Sequence, residues 1–218
     1  MIESISFNNV NPKVFDDAPV GASSMVWNRS VTFHKGKSYL IEAGSGTGKS
    51  SFCSFLYGLR SDFTGDIVYN FSSDVAMSHK NCDFVPLRRE SIAVMFQDLK
   101  LFPELTAIDN VMLKSRLTGY TTEKEIKDML IRLGLGDRLG VPCCRLSFGQ
   151  QQRVAFVRAM SQPCDFILLD EPVSHLDVVN SGIMSDILRE RQQKDGVGVI
   201  VTSIGYRMLY EYDKIMNL

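Results

Sequence analysis

The apolar run YLIEA, residues 39–43, passes directly into GSGTGKS, residues 44–50, and a helix-like pattern follows at once. Few local arrangements restrict a fold as much. A strand, a glycine-rich turn and a helix start gather backbone N–H groups and the positive end of a helix dipole around one point, which suits a polyphosphate. Gly44, Gly46 and Gly48 allow backbone angles and close approach that a Cβ obstructs. The expected binding element is Ala43, Gly44, Ser45, Gly46, Thr47, Gly48, Lys49, Ser50 and Ser51. Lys49 is placed to reach the β- and γ-phosphates of such a ligand, and the Ser50 hydroxyl to take a place on Mg²⁺. The strict pattern G-x-x-x-x-G-K-[ST] has glycine where this chain has Ala43. That position ends the strand, where ordinary angles suffice, and Gly44 supplies the freedom.

The periodicity elsewhere agrees with such a setting. Short apolar runs at 39–43, 67–69, 92–96, 166–169 and 197–201 read as strands. Residues 49–60 place Phe52, Phe55, Leu56 and Leu59 on one helical face, and 124–133 repeat the scheme with Ile126, Met129, Leu130 and Leu133. Alternating strands and helices predict an α/β fold with a largely parallel sheet between helices. Residues 98–144 have helical periodicity and no convincing strand, so they read as a helical insert. The first 35 residues or so, with IESISF and then SVTFHKGKSYLIEA, read as hairpin-forming antiparallel strands at one edge. The expected architecture is a P-loop NTPase core with a mostly parallel sheet, an N-terminal antiparallel β edge and an inserted α-helical subdomain. In one domain spanning 1–218, residues 1–97 and 149–218 form the edge and core, and 98–148 form the helical subdomain.

CDFILLDEPVSHLD supplies the second functional stretch. A buried strand that delivers Asp170 at its carboxyl end puts that carboxylate where open α/β sheets bind ligands, on the Ser50 side of a Mg²⁺ ion. Glu171 follows, and Pro172 biases it toward an extended conformation. Its carboxylate is then free to face water as a general base or water-orienting group. Just before this strand, LSFGQQQRVAFVRAM opens as a helix in which Ser147 and Gln150 make a capping-box pattern. Gly149, a poor helix former, has no purpose in a cap that serves only its own helix.

Composition excludes several classes. The chain has 218 residues, enough for one domain that buries roughly 70% of its unfolded surface. A net charge of -1 leaves no overall basic excess to argue for nucleic acid. Five cysteines without a C-x-x-C pair suggest thiols in a reducing compartment, not a disulfide framework or zinc site. The N-terminus has no signal-like pattern, and no uncharged run approaches the ~20 residues of a membrane span. A cytosolic chain is expected.

With the phosphate loop, the acid strand and LSFGQ in this order, the chain resembles the nucleotide-binding subunit of an ATP-binding cassette (ABC) transporter over nearly its whole length. In that family two subunits close head to tail, and each signature helix caps the γ-phosphate held by its partner. The resemblance implies that Ser147, Gly149 and Gln150 contact that phosphate, with Phe148 replacing the first of two usual glycines. Gln97, in AVMFQD, resembles the family's Q-loop glutamine, which senses Mg²⁺ and attacking water, so Ser50, Gln97 and Asp170 are the implied metal set. SHLD resembles the D-loop, with Asp177 at the dimer interface. Phe15 is the candidate for stacking on adenine, with Phe7 and Trp27 as competitors. LFPELTAIDNV matches the start of the helical arm, where Leu101, Phe102 and Pro103 either line a groove for a coupling helix or pack in the core. Arg153 and Arg158 read as solvated or structural.

One motif departs. GVGVIVTS ends with Ser203 where the family generally has a histidine that hydrogen-bonds the γ-phosphate. None of His34, His79 and His175 is an obvious replacement, although His175 lies inside the D-loop pattern. The implied function is an ATPase that uses Glu171, with Gln97 and Ser203 beside it, and drives a separate transmembrane permease. It would act from the cytoplasmic face of the membrane as a homodimer or paired with a related ATPase subunit, with no direct nucleic acid. A second reading is a nucleotide-gated regulator of a membrane partner, slow in hydrolysis because of Ser203. A third is a soluble nucleic-acid-associated ABC ATPase, disfavoured because only 50 positions separate Gln97 from Ser147.

Overall fold

The computed structural model describes residues 1–15, 24–44 and 46–218, so Ser45 of the phosphate loop lies outside the described residues. In chain order the elements begin with β1 (Ile2–Pro12), β2 (Ser30–His34), β3 (Ser38–Glu42), α1 (Lys49–Leu56), β4 (Phe63–Phe71) and β5 (Ala76–Ser78). They continue with α2 (Phe84–Glu90), β6 (Ile92–Met95), α3 (Ala107–Thr118), α4 (Glu123–Arg132) and α5 (Phe148–Met160). The last are β7 (Phe166–Asp170), α6 (Val178–Asp195), β8 (Gly198–Ser203) and β9 (Lys214–Asn217).

Two sheets result. A parallel sheet has the order β6-β7-β8-β3-β9, and an antiparallel sheet has the order β2-β1-β4-β5. The period-2 pleat divides the parallel strands between two cores. Leu40, Ile167, Leu169, Val199 and Val201 face a core built with α3, α4, α5 and α6. Tyr39, Ile41, Phe166, Leu168 and Ile200 face the other, which α1 and the antiparallel sheet close. There Phe7 stacks on Phe52 at 5.3 Å, and Phe33 meets Phe52 edge-on at 5.7 Å. Each such buried ring stabilises the fold by about 2–3 kcal/mol, and together they fix α1 behind the phosphate loop.

The antiparallel N-terminal edge forms as expected, since β1 pairs with β2 from Ser4↔His34 to Asn8↔Ser30, but β3 leaves that edge and enters the parallel sheet between β8 and β9. Residues 67–69 belong to β4, which pairs with β1 from Ile2↔Phe71 to Pro12↔Phe63 and so leaves the α/β core. Apolar content shows that a run is a strand but does not show which sheet receives it. The helix expected over 49–60 also ends early, at Leu56, because Gly58 takes a left-handed conformation and turns the chain toward β4.

The parallel arrangement matters for the site. The carboxyl ends of β3, β6, β7 and β8 emerge on one side, and they deliver Gly44, Gln97, Asp170–Glu171 and Ser203 respectively.

Candidate functional site

The phosphate loop is shaped from beneath by the aromatic core. The Trp27 indole Nε1 donates to the Thr47 carbonyl at 3.0 Å, and the Thr47 hydroxyl donates to the Gly44 carbonyl at 2.9 Å. Gly48 caps α1 at φ 92°, and a Cβ there would lie 2.9 Å from the Phe15 ring, so both angle and contact require glycine. Phe7 and Trp27 are buried in the core, but half-buried Phe15 lines a cleft of about 400 Å³ with Gly44, Gly46, Gly48, Lys49, Ser50 and Ser51. Of the three aromatic candidates for the base, only Phe15 is open to that cleft. Ser51 is buried and its hydroxyl accepts from Arg60 at 3.1 Å.

A second cleft, of about 470 Å³, adjoins the first through Ser50 and Gln97, which line both. Its wall includes Asp170, Phe148, Ser174 and His175. Asp170 is buried at the end of β7 and accepts from the Thr202 hydroxyl at 2.5 Å, which aims the carboxylate. A hydroxyl, a carboxylate and an amide at one opening form an all-oxygen donor set. That set suits Mg²⁺, which binds through few protein carboxylates together with substrate phosphates. No cluster of three or more His, Cys, Asp or Glu that could hold a metal occurs among the described residues.

Lys49, on the wall of the first cleft, forms an ion pair with Glu171, and both are largely buried. Burial holds the Lys49 ammonium below its usual range, although the nearby Asp170 charge acts in the other direction. Glu171 differs from expectation: its φ is +50°, left-handed and not extended. Such a conformation costs a non-glycine residue about 1–3 kcal/mol and is retained only when the surroundings fix it. The Pro172 bias is overridden by bonds to the backbone. Glu171 N donates to the Thr202 carbonyl at 3.2 Å, while its carbonyl accepts from Gln152 Nε2 at 3.0 Å and from Ser174 Oγ at 3.4 Å.

The signature helix starts with the capping box. Gln150 N donates to Ser147 Oγ at 3.3 Å, and Ser147 N donates to Gln150 Oε1 at 2.9 Å. Gly149 gains an intrachain reason as well, since a Cβ there would stand 3.0 Å from the His175 carbonyl. The idea that only a second chain explains this glycine is therefore corrected: the D-loop already approaches it. Phe148 turns onto the His175 ring at 4.6 Å, and His175 Nδ1 pairs with Ser174 Oγ at 2.9 Å. Asp177 caps α6 by accepting from Asn180 N at 2.8 Å, a bond that holds its carboxyl below the usual range. Ser147, Gly149, Gln150 and Asp177 do not line either cleft, so the chain does not bring them to its own phosphate loop.

Ser203 ends β8 fully in the sheet, and its hydroxyl donates to the Tyr206 carbonyl at 2.8 Å. The neighbouring loop is tied to β3 by a forked Arg207–Glu42 ion pair at 2.7 and 2.9 Å. Arg158 is structural: it donates to the carbonyls of Leu99 and Lys100, at 2.6 and 2.7 Å, just after Gln97. Both of those residues have positive φ, at 59° and 47°. Arg153 joins Gly149 to Asn180 of α6 at 3.1 and 3.0 Å. Thr202, Gln152 and Trp27 are supporting residues that carry no motif of their own. The uninterrupted polar run of three glutamines at a helix start was the only hint of Gln152.

Comparisons with known proteins agree with this geometry. The model of the ABC transporter family matches residues 26–174. An uncharacterised ABC transporter ATP-binding protein of Mycobacterium tuberculosis is 30% identical over 189 residues, covering 85% of this chain and 75% of that protein. The lipoprotein-releasing system ATP-binding protein LolD of Shewanella denitrificans is 28% identical over 213 residues, covering 96% of this chain and 90% of its own. Among solved structures, the dimeric bacterial ABC transporter cassette MJ0796 matches with a TM-score of 0.75 at 26% identity, covering 91% of this chain and 87% of that one. The same cassette in a dimeric post-hydrolysis state bound to ADP and Pi matches with a TM-score of 0.72 at 25% identity and the same coverage. The chain belongs to the ABC transporter family. Within that family it is an ATP-binding cassette, an ABC-type ATP hydrolase.

Proposed function

We propose that this chain binds Mg-ATP between its phosphate loop and the signature helix of a second cassette, hydrolyses it with Glu171, and drives a separate membrane permease. The observation that carries this reading is the convergence of Lys49, Ser50, Gln97 and Asp170 on two adjoining clefts at the ends of three parallel strands, with Glu171 ion-paired to Lys49. Ser147, Gly149 and Gln150 lie outside both clefts, which supports their service to a partner copy or related subunit. Residues 98–148 form the helical arm in this scheme. On it Leu101 packs against the core, while Phe102 and Pro103 are exposed on a loop that Asn110 pins at both Phe102 N and Phe102 O, at 2.8 and 3.0 Å. That loop is the proposed contact for the permease. No helix among the described residues is long and apolar enough to cross a membrane. In this scheme the membrane-spanning work falls to the partner, at whose cytoplasmic face the cassette sits. Purification of the tagged chain from solubilised membranes should recover one polytopic membrane protein, and recovery with ribosomes or DNA would reject the transport reading.

The chemistry assigned to each residue follows from its position. Backbone N–H groups at the start of α1 and the Lys49 ammonium hold the phosphates, and Phe15 offers its ring to the base. Mg²⁺, held by Ser50, Asp170 and Gln97, supplies charge neutralisation on the phosphate oxygens when bound. The γ-phosphate is a second anionic partner for Lys49. Transfer of Lys49 toward it releases the Glu171 carboxylate to accept a hydrogen bond from the attacking water. Gln97 orients the same water from the other side of the shared opening.

A second reading, a nucleotide-gated regulator with slow turnover, is favoured by the donation of the Ser203 hydroxyl to the Tyr206 carbonyl. That hydroxyl has spent its proton on the backbone and offers no donor to a phosphate. Loss of one such donor costs about 10² in rate. Under this reading Ser203→His should raise turnover by about 10² in a steady-state phosphate-release assay. Unchanged turnover would show that position 203 does not limit the rate.

A further inference from the structure

We infer that Gln152 is a positioning residue that holds Glu171 in its working conformation and ties it to the signature helix. The inference rests on the assignment of Glu171 as the group that orients the attacking water. Gln152 lies on α5 five positions after the cap Ser147, and only 1% of its surface is exposed. Its Nε2 donates to the Glu171 carbonyl at 3.0 Å, while its Oε1 is buried with no hydrogen-bond partner. A glutamine used only to fill space would be an expensive choice, since an apolar side chain fills the same volume without an orphaned oxygen. The orientation of the amide is set by its partner. Turned over, Oε1 would face the carbonyl oxygen of Glu171.

What this bond controls is the peptide between Glu171 and Pro172. Glu171 is left-handed at φ +50°, and the direction of its carbonyl fixes that conformation from the other side of Cα. The Glu171 N–H is already held by Thr202 on β8, so Gln152 is the link that comes from the signature helix. Relaxation toward an extended backbone would swing the carboxylate away from Lys49. A shift of α5 when its N-terminal end meets a phosphate is therefore transmitted, within about two turns of helix, to the group that handles water. Engagement by the second cassette and readiness of the base become one event.

Gln152→Leu removes the donor and the orphaned acceptor together while keeping a similar volume. In the full-length chain it should lower kcat for ATP by tenfold or more, leave KM within about twofold, and leave Tm unchanged or higher. Unaltered kcat would overturn the inference. If Gln152→Leu does not fold, Gln152→Glu serves instead, because a glutamate donates to the carbonyl only when protonated. Its activity relative to the parent should rise as pH falls, and a ratio independent of pH would overturn the inference. Glu171→Gln, measured alongside, separates the two ideas. Hydrolysis that survives Glu171→Gln rejects the base assignment, whereas hydrolysis lost there but intact in Gln152→Leu rejects only the positioning role.

Discussion

Glu171→Gln should reduce hydrolysis of Mg-ATP by a factor of about 10²–10⁴, the range for removal of a positioned general base, while ATP binding persists. The substitution is nearly isosteric and replaces a proton acceptor with an amide that cannot take the proton. The structure adds a reason to expect retained binding. Glu171 is paired with Lys49, so a substitution that removed the side chain would leave a largely buried ammonium without its nearest partner, a loss that is strongly destabilising. The glutamine keeps an oxygen there as an acceptor, and Asp170 remains close enough to act on the Lys49 charge. The left-handed backbone at 171 is held by Thr202, Gln152 and Ser174 through main-chain atoms, which the substitution does not touch. Nucleotide affinity measured by titration should change by less than threefold while phosphate release falls to near background. Hydrolysis within tenfold of the parent would mean that another group activates water.

Ser147→Arg should abolish ATP-driven association while leaving nucleotide binding to the single chain nearly intact. Ser147 is exposed at the start of α5, outside both clefts that hold the phosphate loop. The change removes the cap bond to Gln150 N and so costs about 1 kcal/mol of stability. It also places a long cation at the positive end of a helix dipole, where it is unfavourable, and on a surface that has to approach another molecule closely. Ser147→Ala is the control, since it loses the same cap without bulk or charge and should weaken association much less. Light scattering with and without Mg-ATP should find the arginine variant monomeric in both conditions. If Ser147→Arg instead lost nucleotide binding as a monomer, the helix would belong to its own chain's site.

Much of this site was legible in the sequence because its parts are local. The phosphate loop needs glycines, a lysine and a hydroxyl within a few positions, and the capping box at Ser147 and Gln150 needs only four. The strand that delivers Asp170 is an apolar run followed by an acid. Properties that depend on distant partners were not legible in that way. The left-handed Glu171 contradicts the bias of Pro172 because Thr202 and Gln152, far apart in sequence, fix its two peptide groups. Gly149 looks in the sequence like room for another chain, yet the His175 carbonyl already stands against it. The division of β3 and β4 between two sheets was hidden for a similar reason, since both are apolar and only long-range pairing separates them.

The central claim is that one active site takes its phosphate loop from one cassette and its signature helix from another. It is tested most directly by mixing two chains, each defective in a different half, in the slowly hydrolysing Glu171→Gln background. Lys49→Ala lacks a working phosphate loop and Ser147→Arg lacks a working signature helix, so each alone should remain monomeric with Mg-ATP. Labelled with donor and acceptor dyes and mixed, they should show ATP-dependent energy transfer, because the Ser147→Arg phosphate loop can face the intact signature helix of Lys49→Ala. If the Glu171→Gln parent gives energy transfer with ATP and the mixture gives none, the two halves must lie in the same chain, and the composite site is contradicted.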